Sequence, residues 1–498
     1  TSDYIYGHTS VRKPTKVTLS FSDASKASTT DTTYNDYGLA TQVSVTADAM
    51  NSASSWASQT RTVSRIKYTN NGIAEASDGY FPYELKNHKG HLAYTHTDPG
   101  TGLVVQTRKQ ISGSQYLTTN LSYDELGRAS SVHVQGTPTK YIRYTAPDGN
   151  QPYYGTTPAS VMQSITTQAG TPQQNIYFDK LGRTTRTSIQ SFDGSWIFND
   201  QQFDGIGNLI YTSAPKLVGD IDSGITYVGH DVLGRPASKT TIQTCGSLIT
   251  SYTYQGLTTN IDAQDNCLNQ SISMSRTYNS LKQLVSTVAE NINGQNIVTR
   301  YAYNGQGLPI VIRDAGGNSI VARYNDIGQK IQVIDPNQGT TNFIYNGFEE
   351  LQQEARVGSS TVTYLVDSLG RVTQRSATSE ATLTYTYDTG TNGLGQLYQE
   401  SGNGVTRQYE FDNLGRAYKT TINAVDHSYT LETLFDSNYG RAKGMRYPND
   451  LTVKYDYNNF GYPTQISNAA NNYVYREVTA QDKYGKITQA TLGNGVMQ

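Results

Sequence analysis

Apolar and polar residues alternate along many short stretches of the chain. In residues 382–387 (TLTYTY), Leu383, Tyr385 and Tyr387 fall on one side of an extended chain, and threonines fall on the other. Residues 451–457 (LTVKYDY) alternate in the same way. A period of two is typical of a β-strand with one apolar and one polar face. The sequence therefore predicts an all-β protein with almost no helix.

One short phrase, an aromatic residue followed by Asp-x-Leu-Gly-Arg, recurs along the chain. Its aromatic position steps by 21 residues from Tyr303 to Tyr387, and by 21 to 27 residues over most of the remaining chain. About nineteen copies follow one another without an interrupting domain, which indicates a single long repeat array rather than several domains. The repeat aromatics are predicted at Tyr123, Phe178, Phe203, Tyr303, Tyr324, Tyr345, Tyr387, Phe411 and Tyr457.

Each copy is predicted to form a β-hairpin, and successive hairpins are expected to join edge to edge. The Asp can accept hydrogen bonds from backbone N–H groups two residues on, and the Gly can adopt a positive φ. We expect a positive φ at Gly182, Gly234, Gly370 and Gly415, and we expect the Leu before each Gly to fold back onto the apolar face. The predicted turn residues are Asp124, Gly127, Asp179, Gly182, Asp231, Gly234, Asp326, Gly328, Asp367, Gly370, Asp412 and Gly415.

The repeat resembles that of a known family. Residues 316–335 (GGNSIVARYNDIGQKIQVID) and 402–422 (GNGVTRQYEFDNLGRAYKTTI) are similar to the YD repeats of the RHS family. That family includes bacterial polymorphic toxins, the B and C components of insecticidal toxin complexes, and animal teneurins. The resemblance covers roughly residues 90–498. It implies a long antiparallel sheet that spirals into a hollow shell, which in bacterial members encloses a C-terminal toxin domain.

The resemblance also divides the chain. Residues 1–90 are expected to hold degenerate early repeats or a shell entry segment, and residues 91–498 one continuous regular array. Nineteen hairpins would give a ribbon about 180 Å wide and about 26 Å tall, or a ring about 60 Å across if it closed in one turn. The chain opens without Met or an apolar leader and is expected to be a piece of a longer protein.

The amino-acid composition is consistent with a one-layer sheet whose faces contact water. Hydrophobic residues make up 36% of the chain, and there are 39 Tyr against 11 Phe. This is too aromatic for a disordered chain. A Tyr ring can cover its neighbours while its hydroxyl stays in water. The net charge of −2 argues against a nucleic-acid partner. The sequence contains no run of 18 apolar residues, so it does not predict a membrane-spanning helix.

Candidate chemistry is sparse. His88, His91 and His96 lie close in sequence but lack the acidic or Cys support of a metal site, so a polar loop is the simpler interpretation. The Gly-x-Gly sequences at Gly305 and Gly402 belong to hairpins and predict no phosphate site. Asp98 and Asp335 begin Asp-Pro sequences that do not match the family's self-cleavage elements and are interpreted as turns. Cys245 and Cys267 form either a disulfide or two free thiols.

These observations favour a structural shell segment without enzyme activity, cofactor or metal. The expected partners are an enclosed C-terminal polypeptide cargo and neighbouring shell repeats or a partner shell subunit. The expected location is secreted or at the bacterial cell surface. Two other classes stay open: a cell-surface module that binds a glycan or a protein, and an enzyme.

Overall fold

The computed structural model describes residues 2–6, 13–19, 28–50, 55–69, 80–147, 160–221, 223–243, 245–290 and 295–498. Within these ranges the chain forms forty β-strands. They are β1 (Ser2–Ile5), β2 (Lys16–Leu19), β3 (Ser28–Tyr34), β4 (Ala40–Met50), β5 (Trp56–Thr69), β6 (Phe81–Lys86), β7 (Leu92–Thr97), β8 (Val104–Ser112), β9 (Gln115–Tyr123), β10 (Ala129–Val134), β11 (Lys140–Thr145), β12 (Met162–Thr167), β13 (Gln174–Phe178), β14 (Thr184–Gln190), β15 (Trp196–Phe203), β16 (Leu209–Ser213), β17 (Gly224–Val228), β18 (Ser238–Gln243), β19 (Gly246–Gln255), β20 (Thr258–Asp265), β21 (Gln270–Tyr278), β22 (Leu284–Glu290), β23 (Asn296–Tyr303), β24 (Pro309–Arg313), β25 (Ser319–Tyr324), β26 (Lys330–Asp335), β27 (Gly339–Tyr345), β28 (Leu351–Arg356), β29 (Val362–Val366), β30 (Val372–Ala377), β31 (Glu380–Tyr387), β32 (Leu397–Gly402), β33 (Val405–Phe411), β34 (Ala417–Asn423), β35 (Ser428–Phe435), β36 (Ala442–Arg446), β37 (Thr452–Tyr457), β38 (Pro463–Asn468), β39 (Val474–Gln481) and β40 (Ile487–Leu492).

The strands form one continuous ribbon. Each strand pairs antiparallel with the strand that follows it in sequence, from β1 with β2 to β39 with β40. Among the described residues β1 does not pair with β40, so the sheet is not a closed barrel. The predicted all-β hairpin array is confirmed.

No helix occurs in the described part of the chain, and therefore none there is long and apolar enough to cross a membrane.

The repeat aromatic marks a bulge at the end of a strand. The pairing register shifts between Tyr177 and Phe178, between Ala302 and Tyr303, and between Glu410 and Phe411. A bulge adds one residue on one strand and increases the local twist. Its recurrence at the same place in successive hairpins gives each of these hairpins a bend before its turn.

The ribbon is a single layer for most of its area. The accessible surface is 28210 Å², whereas a compact globule of this mass would expose only about 18,000 Å². A one-layer sheet accounts for the excess, because both of its faces meet solvent. The low hydrophobic content fits this architecture, since the sheet has no second sheet to pack against along most of its length.

The ribbon coils past itself. The backbone N–H of Met50 donates to Gln352 Oε1 at 2.9 Å, and Lys483 Nζ lies 2.7 Å from Asp220 Oδ2, although 302 and 263 residues separate these pairs. Between these two contacts, successively later residues of the first winding contact successively later residues of the second winding. About 24 strands therefore make one winding, which at ~4.8 Å per strand is at least ~37 Å across. A ring about 60 Å across, closed in one turn, is thus wrong, because the strands are divided between successive windings.

The early strands belong to the same ribbon, since β1 to β5 pair in sequence order and β5 pairs with β6. The division of the chain near residue 90 stays a prediction.

Candidate functional site

Two kinds of turn alternate along the ribbon. In most of the described hairpins the turn from an odd-numbered strand to the next even-numbered strand carries the repeated phrase or a variant of it, and we call it a phrase turn. The turn from an even-numbered strand to the next odd-numbered strand is a return turn. All phrase turns lie on one edge of the ribbon and all return turns on the other, because hairpins in such an array alternate in direction.

The phrase turn is held by its first residue. Asp124 Oδ1 accepts hydrogen bonds from the backbone N–H groups of Leu126 at 3.0 Å and Arg128 at 2.9 Å. The Gly127 N–H donates to the Asp124 carbonyl at 3.0 Å. The same pattern recurs at Asp179, Asp231, Asp367 and Asp412.

The turn glycines have the positive φ that the sequence predicts. The φ angle is 75° at Gly127, Gly182 and Gly234, 77° at Gly370 and 74° at Gly415. A side chain is disfavoured in this region for an L-residue, which explains why Gly stands there.

Asp326 is a wrong assignment within this set. In that hairpin Asn325, one residue earlier, occupies the first turn position: its Oδ1 accepts from the Ile327 and Gln329 backbone N–H groups. Gly328, with φ of 84°, donates to the Asn325 carbonyl. Asn325 Nδ2 also donates to Gln329 Oε1 at 2.8 Å, so an amide pair replaces the Asp–Arg pair of other copies.

The Arg of the phrase joins neighbouring hairpins, a role that the sequence analysis missed. Arg371 lies 2.6 Å from Asp367 of its own turn, and its guanidinium carbon lies 4.3 Å above the Tyr387 ring of the next hairpin. A guanidinium at this distance from a ring centroid is held by a cation–π interaction. The same pairing joins Arg128 to Tyr144, Arg183 to Phe203, Arg235 to Tyr254, Arg416 to Phe435 and Arg441 to Tyr457.

These contacts keep the turn carboxylates charged. The hydrogen bonds from the Arg128 side chain and backbone lower the pKa of Asp124, although desolvation acts in the opposite sense. The Arg235 side chain lowers the pKa of Asp231 in the same way. The phrase turns of Asp124 and Asp231 therefore carry an ionised Asp beside an Arg at neutral pH.

The repeat tyrosines bind backbone, which corrects the expectation that their hydroxyls stay in water. The Tyr303 hydroxyl donates to the Leu284 carbonyl at 2.7 Å, where the second strand of the preceding hairpin begins. Tyr123, Tyr324, Tyr345, Tyr387 and Tyr457 donate in the same way to Val104, Pro309, Lys330, Val372 and Ala442.

The repeat phenylalanines have no hydroxyl and pack instead. Phe203 receives Arg183, whereas Phe411 is buried and lies against the backbone of Gly393. Phe178 ends β13 and pairs with Met162 and Thr184.

Where two windings meet, return turns of the first lie against phrase turns of the second, and we call this contact the seam. Its apolar contacts place a large side chain over a glycine. A Cβ added to Gly170 would stand 2.5 Å from the Tyr439 ring, and one added to Gly194 would stand 2.6 Å from the Phe460 ring. Leu414 lies against Gly136 in the same way. The glycines therefore provide space for the side chains of the next winding.

The seam also contains a charge cluster. Lys89 of a return turn lies 3.0 Å from Asp367 and 3.4 Å from Asp388, and Arg371 contacts both carboxylates. Burial alone would raise the pKa of Asp388, but hydrogen bonds from Arg371 and from the Gly395 backbone outweigh it and hold the pKa at about 2. His91 Nε2 lies 3.7 Å from Asp388, and burial lowers the pKa of His91.

Near the start of the ribbon the seam is partly buried. Arg61 lies 2.7 Å from Glu350 and stacks on the Phe348 ring at 3.8 Å. The Gly347 N–H donates to the Asp48 carbonyl at 2.7 Å.

The turn leucines differ between the windings. Leu181 is 76% exposed, so the expectation that it folds back onto the apolar face is wrong. Leu369 and Leu414 are half-buried, and Leu414 is covered by the neighbouring winding rather than by its own hairpin.

The remaining candidate residues from the sequence do not come together as one site. His88 Nδ1 accepts from the Thr62 N–H, His91 faces the seam, and His96 meets the Tyr83 ring edge to face. Across the described ranges no group of three or more His, Cys, Asp or Glu could hold a metal ion.

The remaining motif residues lie in turns, at a strand end or in a disulfide. Asp98 and Asp335 accept backbone N–H groups two and three residues on, as expected for turns. Gly305 lies in a phrase turn and Gly402 ends β32. Cys245 and Cys267 form a disulfide with a Cα–Cα distance of 5.3 Å, which joins two neighbouring return turns.

The chain is similar in fold to toxin-complex proteins of known structure. Crystal structures of TcdB2-TccC3-Cdc42 and of TcdB2-TccC3 without its hypervariable C-terminal region match 100% of this chain with a TM-score of 0.68, at 11% and 12% identity. A Tc holotoxin pore of Photorhabdus luminescens matches 100% of this chain with a TM-score of 0.66, at 12% identity. This chain spans 36% of the length of each of those chains.

No protein-family model matches the sequence, and no curated protein matches it. At 11% to 12% identity the structural matches show the fold alone. Over its whole length, the chain has the fold of about a third of a Tc toxin-complex chain.

Proposed function

We propose that the chain is a wall segment of a hollow protein shell that encloses and shields a C-terminal toxin or effector polypeptide. The observation that carries the proposal is the seam. A one-layer ribbon that winds past itself and is fastened to its own earlier turns forms a wall around a space, whereas a flat or open sheet would not.

The chemistry of the wall supports a passive role. The Asp, Arg and Tyr of the repeat are bound to one another and to backbone, so these residues hold the hairpins together. The net charge of −2 suits a container that does not retain one class of cargo by charge. The wall acts without a cofactor or a metal.

The proposed partners are the enclosed polypeptide and further shell repeats or a partner shell subunit. The solved chains with this fold belong to TcdB2-TccC3 and Tc holotoxin assemblies, which supports partnering between shell parts. The proposed location is secreted or at the bacterial cell surface, where a disulfide such as Cys245–Cys267 persists.

The test is protease protection. The array is expressed with an unfolded reporter polypeptide fused after Gln498, and protease is added. We expect the enclosed segment to be digested at least about tenfold more slowly than the same segment alone, because cleavage requires access to an open chain. The control is the same segment fused to a globular β-sandwich of similar size.

Equal digestion rates in the two fusions would reject the enclosing shell. The module that binds a glycan or protein at a cell surface would then take its place. The repeat tyrosines add no support to glycan binding, because the hydroxyls of tyrosines such as Tyr303 and Tyr387 are occupied by backbone carbonyls.

A further inference from the structure

An open cleft of about 450 Å³ lies at the seam, where the second winding crosses two return turns of the first. The first winding contributes the return turns β10–β11 and β12–β13 with the adjoining strand ends. The second winding contributes Asn459 and Phe460 of the phrase turn between β37 and β38. Both windings lie within the described residues at this point. The volume falls in the range of about 300–1,000 Å³ that is typical of small-molecule sites.

The strand register places four of the lining side chains in one row. Tyr141 of β11 pairs with Thr167 of β12. The pairing of β12 with β13 runs up to the residues beside Thr167 and Gln173, and the Gln190 N–H donates to the Gln173 carbonyl at 3.1 Å. Side chains that lie opposite each other on antiparallel strands share one face of the sheet. A ring, a hydroxyl and two amides therefore line the same face beside the seam.

Two amides of the cleft are held by one end only. Gln168 Nε2 donates to the Pro138 carbonyl at 2.8 Å, and Gln190 Oε1 accepts from the Gln173 backbone N–H at 3.0 Å. These bonds fix the orientation of both amides, so Gln168 presents its oxygen as an acceptor and Gln190 presents its nitrogen as a donor. The Asn459 side chain makes no hydrogen bond within the described residues. The cleft thus offers an oriented acceptor, an oriented donor and a further amide.

The apolar part of the lining is aromatic. Tyr141 is 59% exposed, so one face of its ring is open to a ligand. The Phe460 ring is held in place over Gly194, where an added Cβ would stand 2.6 Å from it. The face of an aromatic ring carries partial negative charge, which attracts the positively polarised C–H groups of a sugar ring.

The lining selects the class of ligand. None of the described residues that line the cleft is charged, so an ionised ligand would enter it without a counter-charge. An extended peptide binds by adding a strand to an open sheet edge. Strands β11 to β14 are each paired on both sides and offer no such edge. Sugar hydroxyls both donate and accept hydrogen bonds, which matches the mixed amide ends.

We propose that this cleft binds an uncharged saccharide of one or two rings. One sugar ring stacks on Tyr141, and its hydroxyl groups bond to Gln168, Gln190 and Asn459. The site belongs to the wall itself, since it is formed only where two windings of the ribbon meet.

The test is saturation-transfer NMR on the array alone. The probes are the neutral disaccharides lactose, maltose, cellobiose and diacetylchitobiose, with N-acetylneuraminic acid as a charged counterpart. At least one neutral disaccharide is expected to bind with a Kd of about 1 mM or tighter. The charged sugar is expected to bind at least about tenfold more weakly, because its carboxylate finds no counter-charge.

Two variants remove ligand contacts without breaking a printed bond of the fold. Tyr141→Ala is expected to weaken binding at least about tenfold, because the stacking ring is lost. Asn459→Ala is expected to weaken it about fivefold, the effect of one lost hydrogen bond. The control is Tyr429→Ala, which removes a ring 44% exposed in β35, outside the cleft, and is expected to bind like wild type.

An array of immobilised neutral glycans separates a cell-surface glycan from a free sugar as the source, and binding to either supports the site. Failure of every disaccharide at about 10 mM and of every neutral glycan on the array would overturn the proposal. So would equal binding by Tyr141→Ala and Tyr429→Ala, or Tyr141-dependent binding of an unfolded polypeptide in place of any sugar. The β-sheet circular dichroism signal of each variant shows that a loss of binding is not a loss of fold. Because no fused segment is present, the outcome is independent of the protease-protection test.

Discussion

At the residue scale, the Asp and the Arg of the phrase at residues 367–371 each act in two hairpins or two windings at once. Asp367 holds the backbone of its own turn and binds Lys89 of the neighbouring winding. Arg371 neutralises that Asp and covers the aromatic ring of the next hairpin. A substitution at one such residue therefore affects contacts that lie far apart in sequence.

A matched pair of glycine substitutions separates turn strain from seam packing. Gly182 and Gly170 have φ of 75° and 72°, but a Cβ at Gly182 meets nothing within 4 Å, whereas one at Gly170 stands 2.5 Å from Tyr439. Gly182→Ala is expected to cost about 1 kcal/mol from the left-handed backbone alone. Gly170→Ala is expected to cost about 1–3 kcal/mol more from overpacking. Urea unfolding measures both, and equal costs would show that the seam contact is absent in solution.

The charge cluster makes the seam sensitive to acid. The folded-state pKa of Asp388, about 2, lies below the ordinary carboxyl value of 3.8, so its stabilisation is complete above pH 3.8 and is lost as the pH falls towards 2. Asp388→Asn is expected to lower the unfolding free energy by about 2 kcal/mol between pH 5 and 7. That difference should shrink below pH 3.8. A difference that stays constant down to pH 2 would contradict this assignment.

His91 adds a smaller effect of the same sign. Its folded-state pKa is lowered, so its contribution is present above the ordinary value of 6.5 and declines as the pH falls below it. Its size can be measured as the loss of pH dependence in His91→Gln between pH 5 and 7.

The sequence predicted the residue-level chemistry of the turn but not that of its partners. The Asp and Gly roles follow from local backbone geometry, which a pentapeptide such as residues 179–183 already contains. The place of Arg183 over Phe203 depends on the next hairpin, and the role of Gly170 depends on a turn some 270 residues later. Neither signal is local. The fixed place of Arg one residue after the turn glycine was the one clue to its role.

At the element scale, neighbouring hairpins are joined by more than the β-ladder. In six copies the aromatic of one hairpin receives the Arg of the preceding hairpin, and in many it donates a hydroxyl to that hairpin's backbone. In repeat proteins the stability is close to a sum of such nearest-neighbour terms. Neighbouring hairpins are therefore energetically coupled and do not fold as independent units.

Removing one hydroxyl tests this coupling. Tyr303→Phe breaks the bond to the Leu284 carbonyl and is expected to cost about 1 kcal/mol. The control is Tyr301→Phe in the same strand, because the Tyr301 hydroxyl makes no hydrogen bond among the described residues. Amide hydrogen exchange in β22 and β23 reports the local effect. Faster exchange in both variants alike would show that the hydroxyl is not the cause.

The disulfide gives a second element-scale test. It closes a loop with a sequence separation of 22 residues, so the pair Cys245→Ser/Cys267→Ser is expected to lower stability by about 3 kcal/mol. The effect should be concentrated in β18 to β21, the strands that the disulfide spans, and proteolysis of this region measures it. Uniform sensitivity along the whole ribbon would instead indicate one cooperative unit.

At the scale of the whole molecule, the coiled ribbon is held together in two directions. Strand pairing joins neighbouring strands around each winding, and the seam joins one winding to the next. The sequence predicted the first direction, since alternation and turn signals define hairpins. It could not predict the number of strands in a winding, because that number depends on the small bend that each bulge adds, which no local pattern encodes.

The spacing of the seam limits how the repeat array can change length. One extra hairpin inserted between β18 and β26 would shift every later phrase turn by two strands relative to the glycines that receive it. Leu414 would then face a hairpin other than that of Gly136. Duplication or loss of a repeat between two paired windings is therefore expected to disrupt the seam. In an array of this kind, the number of repeats between paired windings is itself part of the structure that the seam requires.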